Sequence, residues 1–237
     1  MQAIGHGLQR RAAPLPAADN VDRAERLLSA RKAVFVAAHP DDIEFYCGGL
    51  VHLMLKRGAD VLFAVGTRGG KGRRGAAKER IERLRSGHQL DSARILGGAR
   101  VEFFDYPDGA LSEHVSPLAE ELRSLIGREK PSIVFSWDPD FIYNPHPDHQ
   151  AAADAARMAL GSSEVRSIYY GTREPDTWVG YGEDVFRIRL QSLRAHRTEV
   201  PWFYYPWARR TVANRSAGEG AKIGCKYAEV FRRDMMN

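Results

Sequence analysis

Cysteine is almost missing from this chain, with two among 237 residues, Cys47 and Cys225. That is too few for a disulfide framework and points to a reducing compartment. Both are expected to pack as small buried apolar residues. Also missing is any uninterrupted apolar run of about 18 or more residues, so no membrane span is expected. The opening "MQAIGHGLQRRAAPLPAADN" lacks the continuous apolar core of a signal peptide and reads as a loose or docked arm over residues 1–22. These absences together predict a soluble, cytoplasmic protein. There is no internal repeat and no low-complexity segment. Charge is not gathered either: the net +5 comes from 35 Lys and Arg scattered among 30 Asp and Glu. A surplus of that size would suit an anionic partner, but without a basic stripe or a recognised module no nucleic-acid role is expected.

What the chain does have is alternation. Short runs rich in Val, Ile, Phe and Tyr, at 33–38, 61–67, 100–106, 132–137 and 167–172, read as buried strands. Helical patterns lie between them at about 45–57, 76–97, 116–129 and 149–160. Repeated βαβ units predict an α/β fold, a Rossmann-like three-layer sandwich with a mostly parallel sheet and helices on both faces. A single domain over residues 23–237 is the simplest division of this length. From about 173 onward the pattern weakens, through "LRAHRTEV" in a further helix to the aromatic "PWFYYPW" at 201–207. This region is read as a cap or an oligomer contact, with plain packing as the alternative, since exposed aromatic clusters mark contact surfaces.

Ligands of such sheets sit beyond the carboxyl ends of the strands, and two of those ends are rich in ionisable groups. "AHPDD" follows the first strand, with His39 and Asp42 three residues apart, and "HPDH" at 146–149 follows the fourth, with His146 and His149 at the same spacing. Taken alone, a strand-end histidine is usually a satisfied hydrogen-bonding residue, and paired aspartates cap a helix. Taken together on one sheet edge, His39, Asp42 and His149 supply three N/O donors of the kind a catalytic zinc site uses. Asp41 and His146 are left as spare acid–base groups for metal-assisted hydrolysis.

With "GTRGGKG" after the second strand and "YPDG" after the third, these motifs resemble the PIG-L/LmbE family of zinc-dependent N-deacetylases, which act on N-acetylglucosamine-type sugars. The resemblance covers about residues 33–160. It implies zinc held by His39, Asp42 and His149, Asp41 as general base, His146 as oxyanion stabiliser or general acid, and Asp148 orienting His146. The donor set would accept Fe2+ or Co2+ as well. An acetamide is a poor electrophile, so a metal that polarises its carbonyl and acidifies a water suits the task.

Arg68 and Asp108, in the neighbouring loops, are read as contacts to sugar oxygens and hydroxyls, with a solvated basic loop and a simple turn as their alternatives. The partner implied is a small-molecule amino sugar, and the surface is left open to self-association. Family members often carry His-x-Ser-Gln near the C-terminus, where this chain has "AHRTE" at 195–199. His196 is therefore open between a site contributor, from this or a neighbouring subunit, and a surface helix histidine. The competing reading is dinucleotide binding by Gly70, Gly72 and Gly75, which satisfy G-x-G-x-x-G. That reading lacks an acid at the end of a following strand and leaves the histidines unexplained.

Overall fold

The computed structural model describes residues 19–72, 77–161 and 163–234. Among these residues seven strands form one sheet in the order β3-β2-β1-β4-β5-β7-β6. They are β1 (Lys32–Ala37), β2 (Asp60–Thr67), β3 (Arg100–Tyr106), β4 (Ile133–Trp137), β5 (Arg166–Tyr170), β6 (Thr177–Tyr181) and β7 (Tyr227–Arg233). β1 through β5 run parallel, and β7 lies antiparallel to both β5 and β6. β1, β2 and β4 are buried almost throughout, which is why they read as continuous apolar runs. β3, at the edge, is only partly buried and carries Arg100, Glu102 and Asp105, charges that blunt an open strand.

The helices are α1 (Asn20–Leu28), α2 (Asp42–Lys56), α3 (Lys78–Leu96), α4 (Val115–Glu129), α5 (Pro147–Leu160), α6 (Glu183–Ala195) and α7 (Tyr205–Ala221). The last residues of the expected N-terminal arm are helical. Asn20 is buried in α1, donating to Trp178 O at 3.1 Å and accepting from Trp178 N at 2.7 Å. The remainder of the arm, residues 1–18, lies outside the described residues.

The C-terminal third does more than cap. It extends the sheet through β7 and β6 and adds a second apolar core around Tyr181, Phe186, Leu193, Val200 and Val212. The aromatics of 202–207 stay largely outside it, Trp202 being 85% exposed. Cys47 is buried as expected, but Cys225 is exposed, because it falls in the turn between α7 and β7. Gly48 and Gly49 stand inside α2, where any Cβ would strike Arg189 at 2.9 Å or the Tyr181 ring at 2.5 Å. They are there for close packing of α2 under the C-terminal layer.

Strand order reverses between β1 and β4, whose neighbours run away on opposite sides. In an open parallel sheet that reversal leaves a crevice at the carboxyl ends of the two strands. The "AHPDD" and "DPDFIYNPHPDH" segments issue from those two ends.

Candidate active site

The chain leaves β1 through a tight turn that puts Asp41 at φ 99° before α2 begins. A side-chain-bearing residue holds such a conformation only when its surroundings impose it, at a cost of about 1–3 kcal/mol. Here Gln89 Oε1 accepts the Asp41 N–H at 3.1 Å, and Arg85 Nη2 donates to Pro40 O at 2.8 Å. Asp42 then opens α2, its Oδ2 accepting from the Ala38 and His39 N–H groups at 3.0 and 2.9 Å and from Trp137 Nε1 at 3.3 Å. Oδ1 is left facing His149 Nε2 at 3.2 Å. On the other strand end, His146 caps α5 by accepting the Asp148 N–H on Nδ1 at 3.2 Å. Pro147 and the first turn of α5 then carry His149 inward, where it stacks on Trp137 with ring centroids 4.0 Å apart.

The two histidines are oriented alike. His39 Nε2 lies 3.0 Å from Asp148 Oδ2 and 3.1 Å from Asp108 Oδ1, while its Nδ1 faces Asp42 Oδ2 at 3.9 Å. His149 Nδ1 lies 3.2 Å from Asn144 O, while its Nε2 faces Asp42. If each ring donates its N–H to its oxygen partner, the bare nitrogens of both converge on one carboxylate. A histidine whose far nitrogen is tied to an oxygen in this way has the tautomer and orientation of a metal ligand.

Donor atoms within 4.8 Å of one another occur in two groups among the described residues, His39–His146–His149 and His39–Asp108–Asp148. Asp42 stands between the histidines of the first group. The donors are imidazoles and carboxylates only, a set that suits a borderline divalent cation such as zinc.

Electrostatics follow from burial and crowding. Burial opposes a charged His39, yet Asp108, Asp148 and Asp42 outweigh it and push its pKa up to about 10. A field that favours a proton there favours a cation as well. Burial alone would raise Asp42, but His149 and His39 hold it below the usual carboxylate range. Burial raises Asp41 to about 6, with Arg85 and His196 pulling the other way. His146 is lowered by burial and by the neighbouring histidines.

Of the residues singled out from sequence, His39, Asp41, Asp42, His146, Asp148, His149 and Asp108 lie in one crevice. Asp148 is expected to orient His146, but its carboxylate binds His39 and the Gly109 and Leu111 N–H groups at 2.6 and 3.1 Å, and only its own N–H reaches His146. The helix turn points the backbone, and not the side chain, at the cap residue. Asp108 is also turned inward, against His39 and the Lys71 N–H at 2.8 Å. Arg68 pairs with Asp105, donates to Ser86 Oγ at 3.0 Å and lies over the Phe103 ring, so its guanidinium is engaged beside the edge strand.

The guanidinium that reaches Asp41 belongs to Arg85, at 3.7 Å, a residue whose sequence position inside a polar helix gives no signal. His196 is no surface residue: it is buried, with Nε2 3.4 Å from Glu44 Oε2. Of the glycine set, Gly75 lies outside the described residues. The Lys71 N–H, a donor that a phosphate cradle would need, is given to Asp108.

A doubly wound α/β sheet with a histidine–carboxylate centre at its switch point is the class these observations define. The chain belongs to the PIG-L family, whose model, described as GlcNAc-PI de-N-acetylase, matches residues 34–160. It is 27% identical over 232 residues to the diacetylchitobiose deacetylase of Thermococcus kodakarensis, covering 85% of this chain and 82% of that one. It is 30% identical over 229 residues to a 1D-myo-inositol 2-acetamido-2-deoxy-alpha-D-glucopyranoside deacetylase of Saccharomonospora viridis, covering 70% of this chain and 84% of that one. In fold it matches an N,N'-diacetylchitobiose deacetylase from Pyrococcus horikoshii with a TM-score of 0.81 at 23% identity, over 92% of this chain and 87% of that one. Among the described residues no helix is long and apolar enough to cross a membrane.

Proposed function

We propose that the chain is a metal-dependent hydrolase that removes the acetyl group from an N-acetylated amino sugar or N-acetylglucosaminyl conjugate, releasing acetate and a free amine. The observation that carries this reading is the matched orientation of His39 and His149, each with one nitrogen tied to an oxygen and the other turned to Asp42. His39, Asp42 and His149 would hold the cation, zinc by donor type, with Fe2+ or Co2+ acceptable to the same atoms. When bound, the metal supplies Lewis acidity, polarising the amide carbonyl and lowering the pKa of the attacking water.

The chain's own residues do the rest. Asp41, raised by burial to about 6, is ionised at neutral pH and takes the proton from the attacking water. His146, 5.1 Å from His39 and 5.0 Å from His149 between ring centroids, stands on the rim of the same crevice. Once protonated it stabilises the oxyanion and passes its proton to the departing nitrogen. Asp148 keeps His39 in its tautomer. The family match and the deacetylase names of the relatives support the acetyl amide as the bond broken.

The test is acetate release from a panel of N-acetylglucosamine conjugates, with metal content measured on the same sample before and after chelation. Metal-dependent release is the expected result. A metallated protein silent on the whole panel would move the reading to another amide substrate, and a protein that cannot be metallated would sink it.

A further inference from the structure

Five buried side-chain atoms lack a hydrogen-bond partner among the described residues, and four of them gather beside Asp41: Glu44 Oε2, Arg85 Nε, His196 Nε2 and Glu199 Oε1. Three of these have an account. Glu44 and His196 face one another at 3.4 Å and balance each other's charge. Arg85 spends its two terminal nitrogens on Gly69 O at 3.1 Å and Pro40 O at 2.8 Å.

Glu199 has none. Among the described residues its ion-pair partner is Arg85, with Nη1 3.6 Å from Oε1, beyond hydrogen-bond distance. Its side chain is 22% exposed, so one oxygen is sealed while the carboxylate still reaches the crevice.

Its position is set by the fold. Beyond α6 the chain closes a tight turn, the Glu199 and Val200 N–H groups donating to His196 O at 3.2 and 2.7 Å, and buried Val200 anchors it. The loop after β2 presses on it from above, where a Cβ at Gly72 would collide with Oε1. Arg85 spans Glu199 and Asp41, at 3.6 and 3.7 Å, so the two carboxylates share one guanidinium. Glu199 also senses Asp108 and His39 across the crevice. Oε1 is closed to a ligand, but the side chain keeps accessible surface and no described residue donates to its other carboxylate oxygen, so a ligand hydroxyl can meet that oxygen in a charge-assisted hydrogen bond.

We propose that Glu199 is a substrate-contacting residue that accepts a hydrogen bond from a ring hydroxyl of the N-acetylated sugar, with Arg85 steadying its carboxylate. It thereby makes the enzyme selective for sugars that carry that hydroxyl. This rests on the amino-sugar deacetylase reading.

The test compares wild type, Glu199→Ala and Glu199→Gln, all metal-loaded, on an N-acetylglucosaminide and on its mono-deoxy analogues, one for each ring hydroxyl. It follows kcat, KM, metal content and calorimetric binding. Glu199→Ala should lower kcat/KM on the parent by about 10- to 100-fold, mostly through KM, with metal retained. One deoxy analogue should show a similar loss with wild type and no further loss with Glu199→Ala, and Glu199→Gln should fall between. Equal loss on every substrate, carried by kcat, would reduce Glu199 to a support for Arg85 and overturn the proposal. No loss at all would mean that water satisfies the oxygen, and would overturn it too. A wild type that turns over the panel while these comparisons stay flat removes only the role of Glu199. A wild type that neither binds nor turns over any member removes the deacetylase reading along with it.

Discussion

α2 carries two buried networks of charge, built to opposite ends. In the first, Arg189 of α6 donates to Glu44 O, Phe45 O, Tyr181 Oη and Ser216 Oγ at 2.5 to 3.1 Å and pairs with Glu229. Glu229 of β7 in turn accepts the Gly49 and Leu50 N–H groups, each at 2.8 Å. One cation and one anion close on each other and on the backbone, and the C-terminal layer is bolted to α2. In the second network, Asp42, Asp108 and Asp148 crowd His39, and Asp41 sits in a left-handed turn at an elevated pKa. That network holds more acid than its own bases balance. A buried cluster that satisfies itself is structure; one that stays electrostatically hungry is prepared for a cation or a substrate.

The comparison breaks if substitutions in the two networks behave alike. The largest effect is expected from Asp41→Asn, which should lower kcat by about 10²- to 10⁴-fold, the usual worth of a general base. It should do so with metal content unchanged; loss of metal would mean that the two aspartates have exchanged roles. It should also not destabilise the fold. Asp41 has a folded pKa of about 6, above the ordinary 3.8, so the folded state disfavours its charge, and stability is lost as pH rises from about 4 to about 6. Removing the charge should leave the melting temperature at pH 7 equal or higher.

Arg189→Met should do the reverse. It leaves Glu229 buried without its cation and should cost about 3–5 kcal/mol in urea or thermal unfolding. Metal content and kcat of the folded fraction should be preserved. A variant as stable as wild type would show that the first network is not the bolt described.

Asp148→Asn keeps the shape but weakens the acceptor behind His39, and should reduce metal affinity by about 10- to 100-fold in competition with a chelator. An unchanged affinity would move the orienting role to Asp108.

The smallest effect is in the pH profile. In the proposed role of general base Asp41 acts ionised, so kcat/KM should fall as pH drops through about 6. Arg85→Met removes a cation that lowers Asp41 and should shift this limb to higher pH. A limb that does not move would detach Arg85 from the base.

Much of the parallel half of the sheet is readable along the chain. β3 was expected at 100–106 and is found there, and β1, β2, β4 and β5 lie within two residues of expectation. Such strands are buried on both faces, so their apolar runs are unbroken. α2 begins earlier than its apolar pattern, at Asp42, because the ionisable turn residues are themselves the first helical turn. β6 and β7 were not readable. β7, "YAEVFRR", carries Glu229, Arg232 and Arg233, and these charges are tolerated because Arg189, Asp138 and Asp176 meet them from elements distant in sequence.

The sequence by itself determined the parallel sheet and the two histidine motifs at its carboxyl edge, since strand periodicity and strand-end chemistry are local properties. Only the tertiary structure decided that Asp148 serves His39, that Arg85 and Glu199 stand beside Asp41, and that His196 is buried against Glu44. Those pairings join residues from different helices and loops, and the partner that a carboxylate finds is chosen by packing, which no local pattern encodes.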